Sequence, residues 1–337
     1  MNQPRKGPNR LKDFILEAAL ATGVAALLRG IQIRMLARKD ASGTDLTQGG
    51  SVEVFPGVTP ARKRSTLCLF ASFSRSARID AYVWYYLEAL QAQLDCDLIF
   101  ATTSRLAEID RTRLRALCRH VLIRENIGID FGSWKVALEH TPDWRLYDRL
   151  VIANDSVLGP LFPIDQILEP LQTETPLILG ITESIQHEPH LQSYFVAFNR
   201  AALQLPFFEK FWTDLQFHRD KKVMIHKYEI GLTREARRAG CRVHAVFPFK
   251  KVRDLAQKLE RETVPAQAYS RRSLNPTHYF WKTLLVHQRC PFLKTELVRD
   301  NPEGIREVET LKTILAELSI YPTQLLELSR PPGHSST

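Results

Sequence analysis

The chain has 337 residues, of which 44% are hydrophobic, so it is long and apolar enough for one large domain or two modest ones with a buried core. Its net charge of +9 and pI near 9.4 suit an anionic partner, which can be nucleic acid, an acidic membrane surface or a phosphorylated substrate. The five cysteines include no C-x-x-C pair, which argues against a disulfide framework and favours core thiols in a reducing cytosol.

The first predicted element is a basic helix. From Leu11 to Leu36 the pattern is helical and free of proline, and residues 1–40 carry eight Lys or Arg against three acids. The longest uncharged run, residues 18–28, has 11 residues and is too short to span a bilayer. Residues 10–39 either lie on an anionic membrane or pack on their own domain or a second copy. Residues 40–65 contain Gly, Ser, Thr and Pro and a basic cluster, a composition that predicts a linker.

From residue 66 onward, apolar runs alternate with segments of helical spacing. Strands are predicted at 66–73, 96–104, 120–126 and 149–155, with helices between them at 82–94, 109–118 and 134–141. This alternation predicts an α/β fold with a mostly parallel sheet flanked by helices. Later strands are predicted at 176–184, 191–199 and 241–248, with helices at 206–215 and 229–240 and a mostly helical chain from 251. The predicted divisions are 1–60 (helix and linker), 61–250 (main domain), 251–330 (helical part completing it) and 331–337 (disordered tail).

Polar side chains gather where the predicted strands end, and in α/β sheets ligands bind beyond those ends. Ser72, Asn126 and the run 154–156 hold such positions. Asp155 stands out because a carboxylate at a buried strand end either caps the next turn or binds a hard cation. Mg²⁺ and similar cations take oxygen ligands and bridge phosphates through only one or two protein carboxylates. Asn154 and Ser156 add further oxygens.

A two-glycine segment, "NIGIDFGSW" at 126–134, matches neither the dinucleotide fingerprint nor the P-loop in its spacing. Gly128 and Gly132 permit close approach of the backbone to a ligand. Asp130 either accepts hydrogen bonds from a ribose or base or caps the helix that follows.

Two further residues are singled out for chemistry. Glu229 begins the predicted helix "EIGLTREARRAG", where it is either favoured by the helix dipole or a general base facing a pocket. His278 in "NPTHYFW" is the histidine of most interest. "HEPH" at 187–190 lacks the spacing of a zinc-protease helix, and no G-x-S-x-G elbow or nucleic-acid-binding signature occurs.

Four stretches together resemble the rhamnan synthesis protein F family of bacterial polysaccharide glycosyltransferases, over about residues 66–305. They are "NIGIDFGSWKVAL", "YDRLVIANDSVLGPL" with "PHLQSYFVAF" after it, "HKYEIGLTREARRAG", and "NPTHYFWKTLLVHQRCPFLKTELVRDNP". The resemblance implies a GT-A fold, a Rossmann-like sheet that binds a nucleotide-diphosphate sugar, with 61–250 as the glycosyltransferase domain.

The resemblance also implies roles for single residues. Asp155 takes the place of the Asp-x-Asp-like motif that holds Mn²⁺ or Mg²⁺, with neutral neighbours in place of a second acid. Apart from the resemblance, His278 is a further candidate metal ligand. Glu229 becomes the candidate base of an inverting reaction. The remaining candidates fall into two sets: Ser72, Asn126, Gly128, Asp130, Asn154 and Ser156 for the nucleotide sugar, and Gln192, Ser193 and Tyr194 for the donor or acceptor sugar.

The expectation is therefore a hexosyltransferase that moves a sugar, with rhamnose one candidate, to a glycan or lipid-linked acceptor in cell-surface polysaccharide or lipopolysaccharide assembly. No secretory signal is evident, so a cytoplasmic protein is expected, with peripheral contact to the inner membrane face as one interpretation. A non-catalytic sugar-binding relative is the first alternative. A nucleic-acid-binding protein, suggested only by charge, is the second.

Overall fold

A mostly parallel sheet occupies the centre of the molecule. The computed structural model describes residues 31–33, 35–36, 50–58, 65–259 and 275–328. The strands of these ranges are β1 (Val52–Pro56), β2 (Thr66–Ser72), β3 (Cys96–Thr102), β4 (His120–Arg124), β5 (Arg149–Asn154), β6 (Val157–Leu158), β7 (Leu177–Ser184), β8 (His190–Leu191), β9 (Phe195–Asn199), β10 (Arg242–Phe247) and β11 (Leu293–Lys294). The sheet order is β1-β4-β3-β2-β5-β9-β7-β10, with β8 on β7, while β6 and β11 form a separate antiparallel pair. Strands β1 and β9 run antiparallel to their neighbours.

Helices cover both faces of this sheet. The α-helices are α1 (Ala81–Leu94), α2 (Glu108–Leu117), α3 (Ile129–Glu139), α4 (Arg200–Leu203), α5 (Pro206–Thr213), α6 (Lys221–Met224), α7 (Ile230–Arg238), α8 (Phe249–Leu259), α9 (Pro276–Tyr279), α10 (Thr295–Arg299) and α11 (Leu311–Leu318). Segments Ile225–Glu229 and Thr283–His287 are π-helical, and short 3₁₀ turns cover Trp144–Leu146, Gln166–Leu171, Arg306–Thr310 and Thr323–Leu326.

The central strands are apolar throughout because both of their faces are covered. Along β2 all seven side chains are buried. Cys68 and Phe70 join the core that contains α1 and α8, whereas Leu67 and Leu69 join the core that contains α3 and α7. Parallel sheets buried on both faces show such unbroken apolar runs. This explains why the strand signal in the sequence is a run and not an alternation.

The strand order reverses between β2 and β5. From β2 the chain proceeds to β3 and β4 on one side, and it then returns to place β5 on the other side of β2. Such a reversal is the topological switch point of an open α/β sheet, and ligands bind there outside the carboxyl ends of the strands. The pairing of Ala71 with Asn154 brings the end of β2 beside the end of β5.

The structure confirms the predicted α/β class, the mostly parallel sheet and the helical C-terminal part. It differs at two strands. Strand β1 lies inside the predicted linker 40–65, because an edge strand paired only with β4 and half exposed lacks the buried apolar run that marks the others. The run predicted at 191–199 is divided into β8 and β9, since residues 192–194 leave the sheet to enter the site described below.

The N-terminal predictions lie largely outside the described residues. Residues 31–33 and 35–36 are helical, with Ile33 buried and Met35 exposed, but the rest of the predicted helix and its membrane contact through 10–39 are not described. The predicted tail at 331–337 also lies outside. Over the ranges that the structure describes, no helix combines the length and apolar character needed to cross a membrane. The domain limits at 60 and 250 stay predictions. Phe70 and Val252, which lie on the two sides of the limit at 250, belong to the same core, the one that contains α1 and α8.

Candidate active site

Asp155 lies at the switch point, directly after β5. Its Oδ2 accepts hydrogen bonds from the Ser72 hydroxyl at 2.7 Å and from the Phe73 backbone N–H at 2.8 Å, both at the end of β2. Its backbone carbonyl accepts a bond from the Tyr82 hydroxyl at 3.0 Å. Since both side-chain bonds go to Oδ2, no described residue bonds to Oδ1, which is left for a ligand.

Burial raises the pKa of the Asp155 carboxyl to about 7, and the neighbouring Asp130 carboxylate adds to the rise, with a smaller effect from Asp80. The pKa of Asp130 is raised as well, chiefly by burial. Among the described residues no Lys, Arg or His lies within salt-bridge distance of Asp155 or Asp130. Two carboxylates in this setting form a site that a bound cation would stabilise.

The residues flanking Asp155 join it to the two-glycine segment. The Asn154 Nδ2 donates to Asp130 Oδ2 at 2.8 Å. The Asn154 Oδ1 accepts from the Ser156 backbone N–H at 3.1 Å and from its hydroxyl at 2.6 Å. The Asn154 side-chain oxygen, expected to reach the nucleotide sugar, is therefore bonded to Ser156, while the amide N–H group of the same side chain holds Asp130.

Arg124 at the end of β4 holds the loop that joins β4 to α3, together with the first turn of that helix. Its buried guanidinium donates to three loop carbonyls at 2.6–2.8 Å and to one hydroxyl at 3.0 Å, those of Glu125, Ile127, Ile129 and Ser133. Burial lowers the pKa of Arg124 to about 10. The loop therefore presents Asp130 from a fixed backbone, and Asp130 is bonded to Asn154 instead of capping α3.

The two glycines of this loop make room for protein side chains. Gly128 has φ +78°, and a Cβ there would lie 2.6 Å from the Phe217 ring. A Cβ on Gly132 would lie 2.8 Å from Arg124 Nη2. Phe217 and Arg124 thus lie where side chains at these two positions would be, and the approach of a ligand to the backbone of Gly128 and Gly132 stays a prediction. Asn126 is exposed, and its side chain makes no hydrogen bond to any described residue.

Arg124→Met should lower the free energy of unfolding by about 2–4 kcal/mol, because three loop carbonyls lose a charged donor that is itself buried. Urea unfolding followed by tryptophan fluorescence measures the change. The matched control is Arg105→Met, at an exposed arginine, which should leave the midpoint unchanged. Equal midpoints for both variants would show that Arg124 does not hold the loop.

Glu229 is the last residue of the π-helical turn. Its Oε1 accepts from the Ser193 backbone N–H and from the Ser193 hydroxyl, both at 2.9 Å. The helix runs on from Lys221 to Arg238, so Glu229 lies within it and not at its start as the sequence predicted. Because Asp220 caps that helix start, the dipole explanation of Glu229 fails. π-helical turns inside α-helices are frequent at functional sites.

The segment 192–194 connects the two acidic positions. The Tyr194 carbonyl accepts the Asn154 backbone N–H at 3.2 Å, while the adjacent Ser193 holds Glu229. Gln192 and Tyr194 are buried, and the Thr182 hydroxyl bonds to both of their side chains at 2.8 Å. The side chains of Gln192 and Tyr194 are thus bonded within the protein and Ser193 holds Glu229, while the contact of these three residues with sugar stays a prediction.

Lys294 enters the site from far along the chain, and the sequence reasoning missed it. Strand β11 pairs with β6, which sets Lys294 opposite Val157, and the Lys294 ammonium donates to the Ser156 hydroxyl at 3.1 Å. It also lies 4.7 Å from the centre of the Tyr194 ring. Burial lowers the pKa of Lys294, whereas the negative charges of Glu229 and Asp130 act to raise it. A lysine inside the apolar run "CPFLKTEL" was the available signal.

His278 lies in α9, and both of its ring nitrogens are buried without a hydrogen-bond partner among the described residues. Its Nε2 is 3.7 Å from Glu296 Oε2, and burial lowers its pKa. No hydrogen bond or ion pair of the described residues joins it to Asp155. Within the same ranges, no three His, Cys, Asp or Glu side chains are grouped closely enough to hold a metal ion by themselves. His278 as a metal ligand stays a prediction.

Residues 98–328 match the rhamnan synthesis protein F family, which is more than half of the chain. The chain belongs to this family. The resemblance seen in the four motifs is thereby confirmed, and the matched range of the rhamnan synthesis protein F family extends from β3 to the last 3₁₀ turn. It contains Asp130, Asp155, Glu229 and Lys294.

Two curated proteins show what this family member is similar to. The virulence protein VirA of Vibrio anguillarum is 29% identical over 206 residues, which cover 57% of this chain and 66% of VirA. The uncharacterized protein y4gN of Sinorhizobium fredii is 25% identical over 172 residues, covering 48% of this chain and 45% of y4gN. The chain thus spans less than two thirds of the length of either relative.

Solved structures with a similar fold include two sugar transferases. The apo structure of the bifunctional glycosyltransferase WbbM has a TM-score of 0.38 and 10% identity, covering 80% of this chain and 52% of that one. The Pyrobaculum calidifontis mannosyltransferase PcManGT, in complex with GDP-Man and Mn²⁺, has a TM-score of 0.36 and 14% identity, covering 92% and 90%. Likenesses this distant carry no argument about substrate or mechanism.

Proposed function

We propose that the protein is a glycosyltransferase of polysaccharide synthesis, with a GT-A type site that transfers a sugar from a nucleotide-diphosphate donor to a glycan or lipid-linked acceptor. The observation that carries this is the bridge formed by Ser193 and Tyr194. It holds the Glu229 carboxylate beside the switch-point end of β5, where Asp155 and Asp130 lie. Asp155 and Asp130 thus form one acidic position, where the donor is proposed to bind, and Glu229 forms a second one that is held next to it.

Asp155 fits the place of a cation-binding carboxylate. Its raised pKa, its unbonded Oδ1 and the adjacent Asp130 describe an uncompensated negative site, and hard divalent cations need only one or two carboxylates when a diphosphate supplies further oxygens. When bound, Mn²⁺ or Mg²⁺ would stabilise the charge that develops on the leaving diphosphate. Asp155 would hold it, with Ser72 and Phe73 fixing the carboxylate.

Glu229 is proposed as the general base. The acceptor hydroxyl loses its proton to Glu229 as its oxygen bonds to the anomeric carbon, and the bond from that carbon to the nucleotide phosphate breaks, so the nucleoside diphosphate leaves with the electron pair. Because Ser193 occupies Oε1, the Oε2 atom is left to receive the proton. A single base on the acceptor side corresponds to inversion at the anomeric carbon. Rhamnose as the sugar and contact with the membrane are further parts of the proposal.

A thermal-shift screen of UDP, GDP, dTDP and CDP sugars, with and without Mn²⁺, tests the proposal. Binding to the folded state raises the melting temperature according to RT ln(1 + [L]/Kd). We expect one nucleotide series to stabilise the protein, more strongly with Mn²⁺, and release of its nucleoside diphosphate on incubation. Failure of every nucleotide to stabilise the protein would overturn the proposal. Tight binding without transfer or hydrolysis would identify a non-catalytic sugar-binding relative.

A further inference from the structure

We infer that Lys294 binds the diphosphate of the donor, at the phosphate that carries the sugar. This inference rests on the proposed function and adds to it a cationic residue of the fourth motif to which the sequence assigned no role. Lys294 reaches the site through the β6–β11 pair, which follows directly after the Asp155 turn. Its ammonium therefore lies beside Ser156, the residue that follows Asp155 in the same turn.

The hydrogen bonding of Lys294 is incomplete. An ammonium has three N–H donors, and within the described residues the Lys294 ammonium makes one hydrogen bond, to the Ser156 hydroxyl. It also lies 4.7 Å from the centre of the Tyr194 ring. No described carboxylate lies within 4.0 Å of it. A partly buried cation without a direct ion pair is costly, so a site of this kind favours a bound anion.

The charges of the site are complementary to a cation–diphosphate pair. Asp155 and Asp130 form a negative position without a protein counterion in contact, and Lys294 forms a positive one. The two positions are connected by the hydrogen-bonded series Lys294, Ser156, Asn154, Asp130. A diphosphate with its cation would place negative oxygens at the lysine and positive charge at the carboxylates.

The position of Glu229 decides which phosphate Lys294 meets. The Lys294 ammonium lies 4.7 Å from the centre of the Tyr194 ring, and the adjacent Ser193 donates both of its hydrogen bonds to the Glu229 carboxylate, so the lysine and the proposed base meet the same short segment. The base must lie next to the anomeric carbon, and the sugar-bearing phosphate is the phosphate attached to that carbon. Lys294 therefore lies on the side of the site where the bond breaks, and it can stabilise the leaving oxygen.

The test compares nucleoside diphosphates with monophosphates on Lys294→Met, which keeps the length of the stem. UDP, GDP and dTDP, and the monophosphate of each, are titrated into the wild-type protein by calorimetry with and without Mn²⁺. The nucleotide pair that binds the wild-type protein most tightly is then used for the variants. We expect the diphosphate Kd to rise about ten-fold, which corresponds to loss of one charged hydrogen bond, and the monophosphate Kd to stay unchanged. Lys294→Arg should recover part of the loss.

Lys312→Met, at an exposed lysine paired with Glu327, is the matched control and should bind both nucleotides as wild type does. Thermal unfolding verifies that Lys294→Met is folded, with Lys294→Gln as a second variant if it is not. A Lys294→Met protein that keeps the wild-type preference for diphosphate would overturn the inference and leave the proposed function intact. Equal weakening of monophosphate and diphosphate binding would also overturn it. A wild-type protein that binds no nucleotide would remove the proposed function together with this inference.

Discussion

Glu229→Gln is expected to reduce sugar transfer by about 10²–10⁴-fold, the range that a positioned general base contributes. The amide keeps an oxygen that can accept both bonds from Ser193, so the turn at Ile225–Glu229 should keep its shape. The substitution removes the negative charge of the carboxylate and, with it, the ability to take a proton. Turnover is measured as release of nucleoside diphosphate in the presence of the acceptor, and donor binding is measured separately by calorimetry.

The control for this variant lies on the same helix. Glu235 is paired with Arg238, and Glu235→Gln should retain wild-type turnover. A base acts in the transition state, so Glu229→Gln should lower kcat while the donor affinity stays the same. Full activity of Glu229→Gln would assign the base elsewhere. A parallel loss of donor binding would show that Glu229 holds the donor and does not take the proton.

The sequence revealed the position of Asp155 because its signal is local. An apolar run that ends on polar residues predicts a buried strand and its carboxyl end, and α/β topology says that ligands bind there. The alternation of elements likewise predicted the parallel sheet. Local pattern does not show which strands are neighbours, so the contact between Ser72 and Asp155 became visible only in the fold.

The residues that the sequence missed or misinterpreted depend on non-local pairing. Lys294 is brought in by the β6–β11 pair, and Ser193 is placed between Asn154 and Glu229 where the chain leaves the sheet between β8 and β9. The contact of Gly128 with the Phe217 ring, which leaves no room for a Cβ, depends on a residue far along the chain, while the approach of a ligand to Gly128 stays a prediction. The helix start at Lys221 was missed because the periodicity changes across the π-helical turn.

Asp155→Asn should lower transfer by at least about 10²-fold, as loss of a preorganised electrostatic group does, and should also make the folded protein more stable at pH 8. The second effect follows from the pKa of about 7 in the folded chain. An unfolded Asp titrates near pH 4, so above pH 7 folding retains a buried charge that the unfolded chain solvates better. The uncharged amide removes that cost, by about 1–2 kcal/mol after allowance for partial exposure.

The pH dependence separates this explanation from a simple change in packing. Below pH 7 the folded carboxyl takes up a proton while the unfolded one stays ionised down to about pH 4, so wild-type stability rises as the pH falls through this window. The difference in melting temperature between Asp155→Asn and wild type should therefore be large at pH 8 and small at pH 5. Mn²⁺ with a nucleoside diphosphate should raise the melting temperature of wild type and not that of the variant. The matched control is Asp165→Asn, at an exposed position, which should show neither effect. An equal gain in melting temperature for Asp155→Asn at both pH values would mean that Asp155 carries no uncompensated charge and is not the cation-binding carboxylate.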